Sequence, residues 1–420
     1  LKELLIQNEW WDTGKISQEK AKPYRRKVFE EIKRTFQKYR QILLLTGLRR
    51  VGKTTLLYQL IQELLRAGIK PTQLIYFSFD MAVKDPLEIF GAYERITKVD
   101  FRREKVYAFL DEIQKLPDWS RKIKFLYDNL PNIKLCLSGS ASLTIERKAI
   151  EDLAGRYFPV QVKFLTLQEF AELYYSRQID NFELYRPKLE AIFDDYIERP
   201  FPEIVGWKEK EKVSAYLREL VIERIIKSDT IEVFKKVNIP LLSSLAELLI
   251  RNSGSILNME ALAKDLHVHK LTLAAHIYYL KFGKLIHIVR NYRPSIRAES
   301  RKLPKIYAAH PALLFAYYAS LDKGKIVENL VMGALELSKY FKLGAKEIDF
   351  LKINKVMLPI EVKAKQTLSR GDLKPLLWFL DKYKLKKGIV IYFGEEVERR
   401  FNRKTIRFLP LHKVLFNFKI

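Results

Sequence analysis

The stretch "LLLTGLRRVGKTTLL", Leu43 to Leu57, constrains the fold of this chain more than any other. An apolar run of strand length meets a loop bounded by two glycines, and a Lys-Thr-Thr step opens onto a second apolar run. The loop, Gly47-Leu48-Arg49-Arg50-Val51-Gly52-Lys53-Thr54, has the spacing G-x-x-x-x-G-K-[ST] in the strand-to-helix setting that this spacing requires. Gly47 and Gly52 let backbone N–H groups turn inward around phosphate oxygens, and the following helix adds its positive N-terminal end. Lys53 is expected to reach the β and γ phosphates of ATP, and Thr54, with Thr55 beside it, to sit at the magnesium. Arg49, Arg50 and Val51 complete the expected nucleotide site, which holds ATP or ADP with Mg2+.

A loop of this kind works with an acid on a neighbouring strand. "VYAFLDEIQ" supplies Asp111 after an apolar run, where it would hold magnesium through its water shell. Glu112 stands next to it, placed to orient or deprotonate an attacking water. The pair implies hydrolysis as well as binding, against the plainer reading of two acids at a strand end. The next strand, "IKLCLSGSAS", ends in Ser138-Gly139-Ser140. A hydroxyl there is either a γ-phosphate sensor or a polar turn. Arg156 in "EDLAGRYF" is a candidate for stabilising transition-state charge, within the chain or across a subunit interface, or else a surface arginine.

Around these motifs strands and helices alternate. "QILLLTG", "QLIYFSFD", "KVYAFLDEIQ", "IKLCLSGSAS" and "RYFPVQV" read as strands; "KTTLLYQLIQELLRAG", "DPLEIFGAYERIT" and "WSRKIKFLYDNL" read as helices. Near-continuous apolar strands in β–α alternation predict a parallel α/β sheet covered on both faces. Residues 1–40 are basic and predicted helical, with "EWWDTGK" as a turn.

The chain has 420 residues, enough for two to four domains, and a formal net charge of +26. A surplus that large favours a polyanionic partner, here DNA, because each Lys or Arg placed on a phosphate releases a counterion. The plainer reading is that the charge only keeps the protein soluble. Cys136 is the one cysteine, which excludes an internal disulfide and fits a reducing cytoplasm. No apolar run approaches the length of a membrane span, and "LKELLIQNEWWDTGK" has no signal-peptide core ahead of its charges, so no membrane association is expected.

The ordered set "WW", "LLLTGLRRVGKTTLL", "VYAFLDEIQ", "LSGSAS", "LAGRYFPV" with "LTLQEF", and "YIERPFPEIV" resembles the archaeal branch of AAA+ ATPases. The resemblance covers most of the chain. It implies ATPase roles for Lys53, Thr54, Asp111 and Glu112 and matches Arg156 to the family's "GR" element. From about 166 to 235 the pattern is mostly helical, broken at Pro200 and Pro202, and a homo-oligomer is one expected partner state. The two loop arginines, Arg49 and Arg50, stand where small residues are common in AAA+ proteins at large, although they are frequent in this branch, where they would touch phosphate or a neighbouring subunit.

After about residue 240 the cadence changes. "LAELLIRNSGSILNMEALAKDLHVHKLTLAAHIYYLKFGKLIHIVRN" gives three helices with Leu262, Leu266, Leu273, Ile277 and Leu280 as a shared core, a helix-turn-helix pattern. "LIHIV" and "LPKIYAA" read as two wing strands. The third helix would enter a major groove through His269, Lys270, Thr272 and His276, and the wing would contact phosphates through Arg290, Arg293, Arg297, Arg301 and Lys302. The competing reading is a winged helix that binds protein or packs on its own chain. His267, His269 and His276 lack the accompanying Cys or acid cluster of a metal site.

The last hundred residues bring two carboxylates and a lysine together. "GKIVENLVMGALELSKY" is a helix carrying Glu328, and "GAKEIDFLKI" and "KVMLPIEVKAKQ" read as paired strands carrying Asp349, Glu361 and Lys363. Glu361 and Lys363 are two apart on one strand and share a face. Asp349 and Glu361 as hard-oxygen ligands suit a second Mg2+ or Mn2+, Lys363 the nucleophile or the charged transition state, and Glu328 would complete the shell. "EIDF…PIEVKAK" resembles the PD-(D/E)XK nuclease fold, including the archaeal junction resolvases. That fold has inactive members, so phosphodiester cleavage is one expectation and an inert fold the other.

The expected organisation is therefore an α/β AAA+ core over 1–165, a helical lid over 166–238, a winged helix over 239–318 and a small α/β nuclease-like domain over 319–420. The expected activity is ATP-driven work on DNA, binding or remodelling it and cutting it if the last site is competent. The alternatives are a nucleotide-gated regulatory switch or a DNA motor with an inert nuclease fold.

Overall fold

The computed structural model describes residues 2–81, 85–139, 151–234, 236–317, 322–354 and 356–417. The chain forms two compact units. One comprises Leu1–Lys163 with Asp229–Lys235, the other Phe164–Ser228 with Lys236–Ile420.

The first unit is built on β1 (Ile42–Thr46), β2 (Leu74–Ser78), β3 (Val106–Asp111), β4 (Ile133–Gly139) and β5 (Tyr157–Gln161), in the order β2-β3-β4-β1-β5. Every neighbouring pair is parallel, as the uninterrupted apolar strands predict. β1 and β4 are buried along their whole length. Parallel pairing requires crossovers, and helices Lys53–Arg66, Pro86–Thr97 and Trp119–Asn129 supply them. Helix Pro86–Thr97 starts where Asp85 accepts the Leu87 N–H and Pro86 takes the first turn. Because the strands are parallel, Gly47, Asp111 and Ser138 all fall at the carboxyl edge of the sheet, where open α/β sheets bind ligands.

The N-terminal tryptophans form a short helix, Trp10–Thr13, rather than the expected turn. Both indole N–H groups donate to the Leu74 carbonyl, at 3.0 and 2.7 Å, so the pair anchors this segment against the start of β2. The tertiary acceptor draws the segment into helix, and local turn residues do not reveal it.

The second unit holds two sheets. One contains β6 (Ser255–Ile256), β7 (Ile286–Asn291), β8 (Lys305–Ala308), β9 (Lys339–Leu343) and β10 (Lys346–Ile348), in the order β10-β9-β7-β8-β6. The other contains β11 (Phe350–Ile353), β12 (Met357–Lys363), β13 (Lys387–Tyr392), β14 (Val397–Phe401) and β15 (Lys404–Pro410), in the order β11-β12-β13-β15-β14. Helices Ile239–Arg251, Met259–Asp265 and Lys270–Phe282 precede β7, and β7 and β8 pair antiparallel. β7 also pairs parallel with β9, through Arg290↔Lys339 and Asn291↔Tyr340. One sheet therefore runs from the strands after the three helices into the hairpin of the C-terminal segment.

A buried hydrogen-bonded triangle reinforces that continuity. Ser253 Oγ donates to Asn329 Oδ1 at 2.8 Å and accepts the Ala308 N–H at 2.9 Å, while Asn329 Nδ2 donates to the Ala308 carbonyl at 2.8 Å. Of the span expected to form a lid, 166–238, residues 166–228 and 236–238 belong to this second unit and 229–235 to the first. The span contains helices Leu167–Tyr174 and Phe182–Ala191, and the chain then runs through π-helical turns at Tyr216–Glu223 and Ile225–Asp229. Among the described residues no helix is long and apolar enough to cross a membrane.

Candidate functional site

The loop after β1 is shaped by a close backbone approach at its first glycine. A Cβ at Gly47 would lie 2.3 Å from the Val162 carbonyl oxygen, so only glycine fits there. Arg26 braces the loop from outside: its guanidinium donates to the Val51 carbonyl at 2.9 Å and to the Lys163 carbonyl at 3.1 Å. Arg50 adopts the left-handed conformation (φ 66°) and Gly52 follows at φ 96°, which turns the chain into helix Lys53–Arg66. Lys53 is buried and donates to the Gly47 and Leu48 carbonyls at 3.0 and 2.9 Å. Burial pushes its ammonium below the ordinary lysine value, against the pull of Glu112 and Asp111.

Asp111, at the end of β3, gathers donors from two other strands, a helix and the residue that follows it. Thr54 Oγ1 donates to Oδ2 at 2.6 Å, the Tyr76 hydroxyl donates to the same oxygen at 3.0 Å, and the Ser138 hydroxyl and the Glu112 N–H (3.0 Å) reach Oδ1. Thr54 and Asp111 thus meet directly, and their hard oxygens suit a magnesium carried in with a nucleotide. Glu112 follows in a left-handed conformation (φ 51°) and accepts from the Gln114 amide. Burial raises its carboxyl above the usual carboxylate range, and Lys53 opposes the shift. Thr55 lies beside Thr54 in the first helical turn, half-buried, and Val51 is buried. Ser140 lies outside the described residues.

Two arginines pair with carboxylates of their own chain. Arg49 is clasped by Asp229, with Nε 3.0 and 2.9 Å from the two carboxylate oxygens. Arg156 does not reach the loop. Its backbone carbonyl accepts the Ile42 N–H at the opposite end of β1 from Gly47, about 16 Å away at about 3.3 Å per strand residue. There its guanidinium pairs with Asp128 at 2.8 and 3.1 Å at the surface.

In the second unit, Glu361 and Lys363 share a face of β12, and Lys363 Nζ donates to Glu361 Oε2 at 2.6 Å. Asp349 Oδ2 accepts the Val362 N–H at 2.8 Å and lies 3.7 Å from the same ammonium. Burial would lower the Lys363 ammonium, but Asp349 and Glu361 outweigh it and hold it above the ordinary value. Burial and the Asp349 charge push Glu361 well above the carboxylate range, and its Oε1 is buried with no hydrogen-bond partner among the described residues. An orphaned carboxylate oxygen beside a second carboxylate suits a hard cation.

Glu328 stands within electrostatic reach of that group, but its hydrogen bond goes elsewhere. It accepts the Tyr307 hydroxyl at 3.1 Å and lies 4.0 Å from Lys305. Burial, then the charge of Asp349, pushes its carboxyl up to about 7. Among the described residues no three His, Cys, Asp or Glu side chains form a group able to hold a metal ion. Glu328, expected to complete the shell, takes its hydrogen bond from Tyr307 of β8 while the Asp349 charge acts on it.

Residues 39–171 match a family model described as an AAA domain, and residues 191–323 and 323–414 match two domains of unknown function, DUF8612 and DUF4143. The chain is 27% identical to an uncharacterized protein (MJ1637) of Methanocaldococcus jannaschii, over 86% of this chain and 82% of that one. It is 23% identical to an uncharacterized protein of Haemophilus influenzae, over 74% of this chain and 79% of that one. Among solved structures, the Aeropyrum pernix ORC2 protein in its ADP form aligns at TM-score 0.38 and 14% identity, covering 74% of this chain and 99% of that one. The first unit has the P-loop AAA+ fold. Its all-parallel strand order and the loop after β1 agree with the match over residues 39–171.

Outside the AAA+ unit, the residues expected to contact DNA divide. Lys270, Thr272, Arg290, Arg297 and Arg301 are exposed, and Lys270 pairs with Glu260 at 2.7 Å. Arg293 is held within the fold: it donates to Asn291 Oδ1 and the Tyr292 carbonyl at 2.8 and 2.6 Å and to the Lys342 carbonyl at 2.6 Å, and lies over the Phe341 ring. His276 is buried rather than exposed, with Nε2 accepting the Asn238 N–H at 3.2 Å. His269 caps its helix by accepting the Leu271 N–H at 3.3 Å. Leu273, Ile277 and Leu280 are core residues as expected, while Leu262 and Leu266 are only half-buried.

Sequence reasoning missed Tyr76, Asp229 and Arg26 at the AAA+ site and Lys305 and Tyr307 beside Glu328. Each lies far in sequence from the motif it supports, so no local spacing signals it.

Proposed function

We propose that this chain binds and hydrolyses ATP at the Gly47–Thr54 loop and uses that cycle to act on DNA. The observation that carries the reading is the convergence of Thr54, Glu112 and Ser138 on Asp111 beside a buried Lys53. In this reading Lys53 exchanges its two loop carbonyls for the β and γ phosphates, and loop N–H groups hold the remaining oxygens. Thr54 and Asp111 hold magnesium, which when bound supplies positive charge against the β and γ oxygens. Glu112 takes the proton of the attacking water or fixes its direction. Ser138 links Asp111 to the end of β4 and reports the γ-phosphate. Arg156, remote from the loop of its own chain, takes part only if a homo-oligomer brings it to a neighbouring site.

Support for DNA comes from the net charge of +26 and from the exposed Lys270, Arg290, Arg297 and Arg301. Asp349, Glu361 and Lys363 form a group suited to metal-dependent phosphodiester cleavage, with Mg2+ or Mn2+ held by the two acids. The single buried cysteine fits a cytoplasmic protein.

A second reading is favoured by one observation. Lys363 lies within ion-pair distance of both acids and, among the described residues, no group of three such ligands able to hold a metal ion is present, which fits an inert nuclease fold in a DNA motor or a nucleotide-gated switch. Labelled duplex, branched and single-stranded DNA, incubated with Mg2+ or Mn2+ with and without ATP, separates the readings. Cleavage that Asp349→Ala abolishes while ATP turnover persists supports the nuclease. No cleavage of any substrate by the parent protein leaves the motor or switch.

A further inference from the structure

The Arg49–Asp229 clasp joins the nucleotide loop to a piece of chain from far downstream. After Lys163 the chain leaves the first unit and returns to it at Asp229, directly after the π-helical turn that ends there. Asp229 is 5% exposed on its side chain and Arg49 21%. The contact uses the Nε and Nη2 edge of the guanidinium, with Nη2 2.5 Å from Oδ1.

Arg49 also faces the phosphate machinery. Its charge acts on Lys53, Glu112 and Asp80, and Asp229 in turn acts on Lys53. A guanidinium fork fits a phosphate as it fits a carboxylate, through two parallel N–H bonds. A triphosphate in this loop therefore presents Arg49 with a second, more highly charged partner of the same geometry. Asp229 left behind would be a buried carboxylate without its cation, next to the phosphates, and that arrangement is strongly unfavourable.

The geometry points to Asp229 as a latch on the nucleotide site: it holds Arg49 until the γ-phosphate takes that arginine over, and the segment that starts at Asp229 is then released. The inference rests on the ATP reading and deepens it by naming what the nucleotide displaces. Since residue 228 belongs to the second unit, the latch gives triphosphate binding a covalent route to the rest of the chain.

Two measurements test it on the full-length protein. Hydrogen exchange in peptides spanning 225–234 is compared without nucleotide, with ADP and with ATPγS; faster exchange with ATPγS alone is expected. A fluorescent ATP analogue is titrated into the parent and Asp229→Asn, and tighter binding by the variant is expected, on the order of two- to fivefold, the fold-change equivalent of one partly exposed ion pair. Slower exchange with ATPγS, or equal or weaker binding by the variant, makes Asp229 a bracket that presents Arg49 to phosphate and overturns the latch. A parent protein that binds no nucleotide removes the ATP reading and the latch together, an outcome distinct from binding that Asp229→Asn fails to improve.

Discussion

Lys53 is a buried ammonium whose partners are two loop carbonyls, so its place is stable only beside Asp111 and Glu112 or an incoming anion. Lys53→Ala is expected to weaken ATP binding by roughly a hundredfold or more, the scale of losing charged hydrogen bonds, as read by calorimetry. Glu112→Gln keeps the shape and loses the base, so binding should persist while turnover falls by roughly 10²- to 10⁴-fold. Because burial raises the Glu112 carboxyl, parent turnover should decline on acidification at a pH above the ordinary carboxylate range. A decline only near pH 4, or its retention in Glu112→Gln, would remove Glu112 from that role. His310 gives a stability prediction of opposite chemistry. Burial lowers its imidazole from 6.5 to about 3, so as pH falls through 6.5 the unfolded chain takes up a proton that the folded chain refuses. The unfolded state binds more protons at this site in that window, so His310 itself contributes a loss of about 2 kcal/mol by pH 5, while Glu328, raised to about 7, contributes in the opposite sense. Urea unfolding of the parent and of His310→Asn at pH 8 and pH 5 isolates this contribution: the parent should lose about 2 kcal/mol relative to the variant between the two pH values, and an equal change in both would remove His310 from the account. Lys53, Thr54 and Asp111 were readable because their chemistry follows from local spacing. Asp229 and Tyr76 were not, since their partners are brought to them by the fold, and His276 and Arg293 were misread because exposure is a tertiary property.

At the level of elements, the strands of the AAA+ unit were legible because parallel, doubly covered strands are apolar throughout. β1 and β4 show this most plainly. The pairing of β7 with β9 was not legible. It joins residues nearly fifty positions apart, and nothing in "LIHIVRN" marks its second edge as occupied. The Ser253–Asn329–Ala308 triangle ties β8 of the same sheet to helix Lys323–Leu335, which carries Asn329. Asn329 brings both a donor and an acceptor into a site that is 1% exposed. Asn329→Leu should destabilise the second unit by about 2 to 3 kcal/mol, because Ser253 and the Ala308 carbonyl then lose partners without reaching water. A thermal midpoint unchanged from the parent would mean that the triangle holds nothing together. In the AAA+ unit, Gly47→Ala drives a methyl onto the Val162 carbonyl, so the loop should shift and nucleotide affinity fall with little change in secondary structure by circular dichroism.

For the whole molecule, the net charge of +26 was visible at once, but which surface uses it was not. The fold removes Arg293 from the basic set and leaves Arg290, Arg297 and Arg301 exposed. If these three contact phosphates, DNA affinity should drop steeply as salt rises, and replacing all three with Ala should flatten the dependence by about three units of log–log slope at most. The resemblance to AAA+ ATPases carried the first unit correctly. The acid–lysine group was visible as "EIDF…PIEVKAK", yet its third carboxylate was assigned from sequence order, and packing sent Glu328 to Tyr307. The decisive measurement is steady-state ATP hydrolysis at low salt, with and without duplex or branched DNA, by the parent and by Lys53→Ala. ATP-driven work on DNA predicts turnover that DNA accelerates and that Lys53→Ala abolishes. Turnover indifferent to every DNA, or equal in the two proteins, would contradict it.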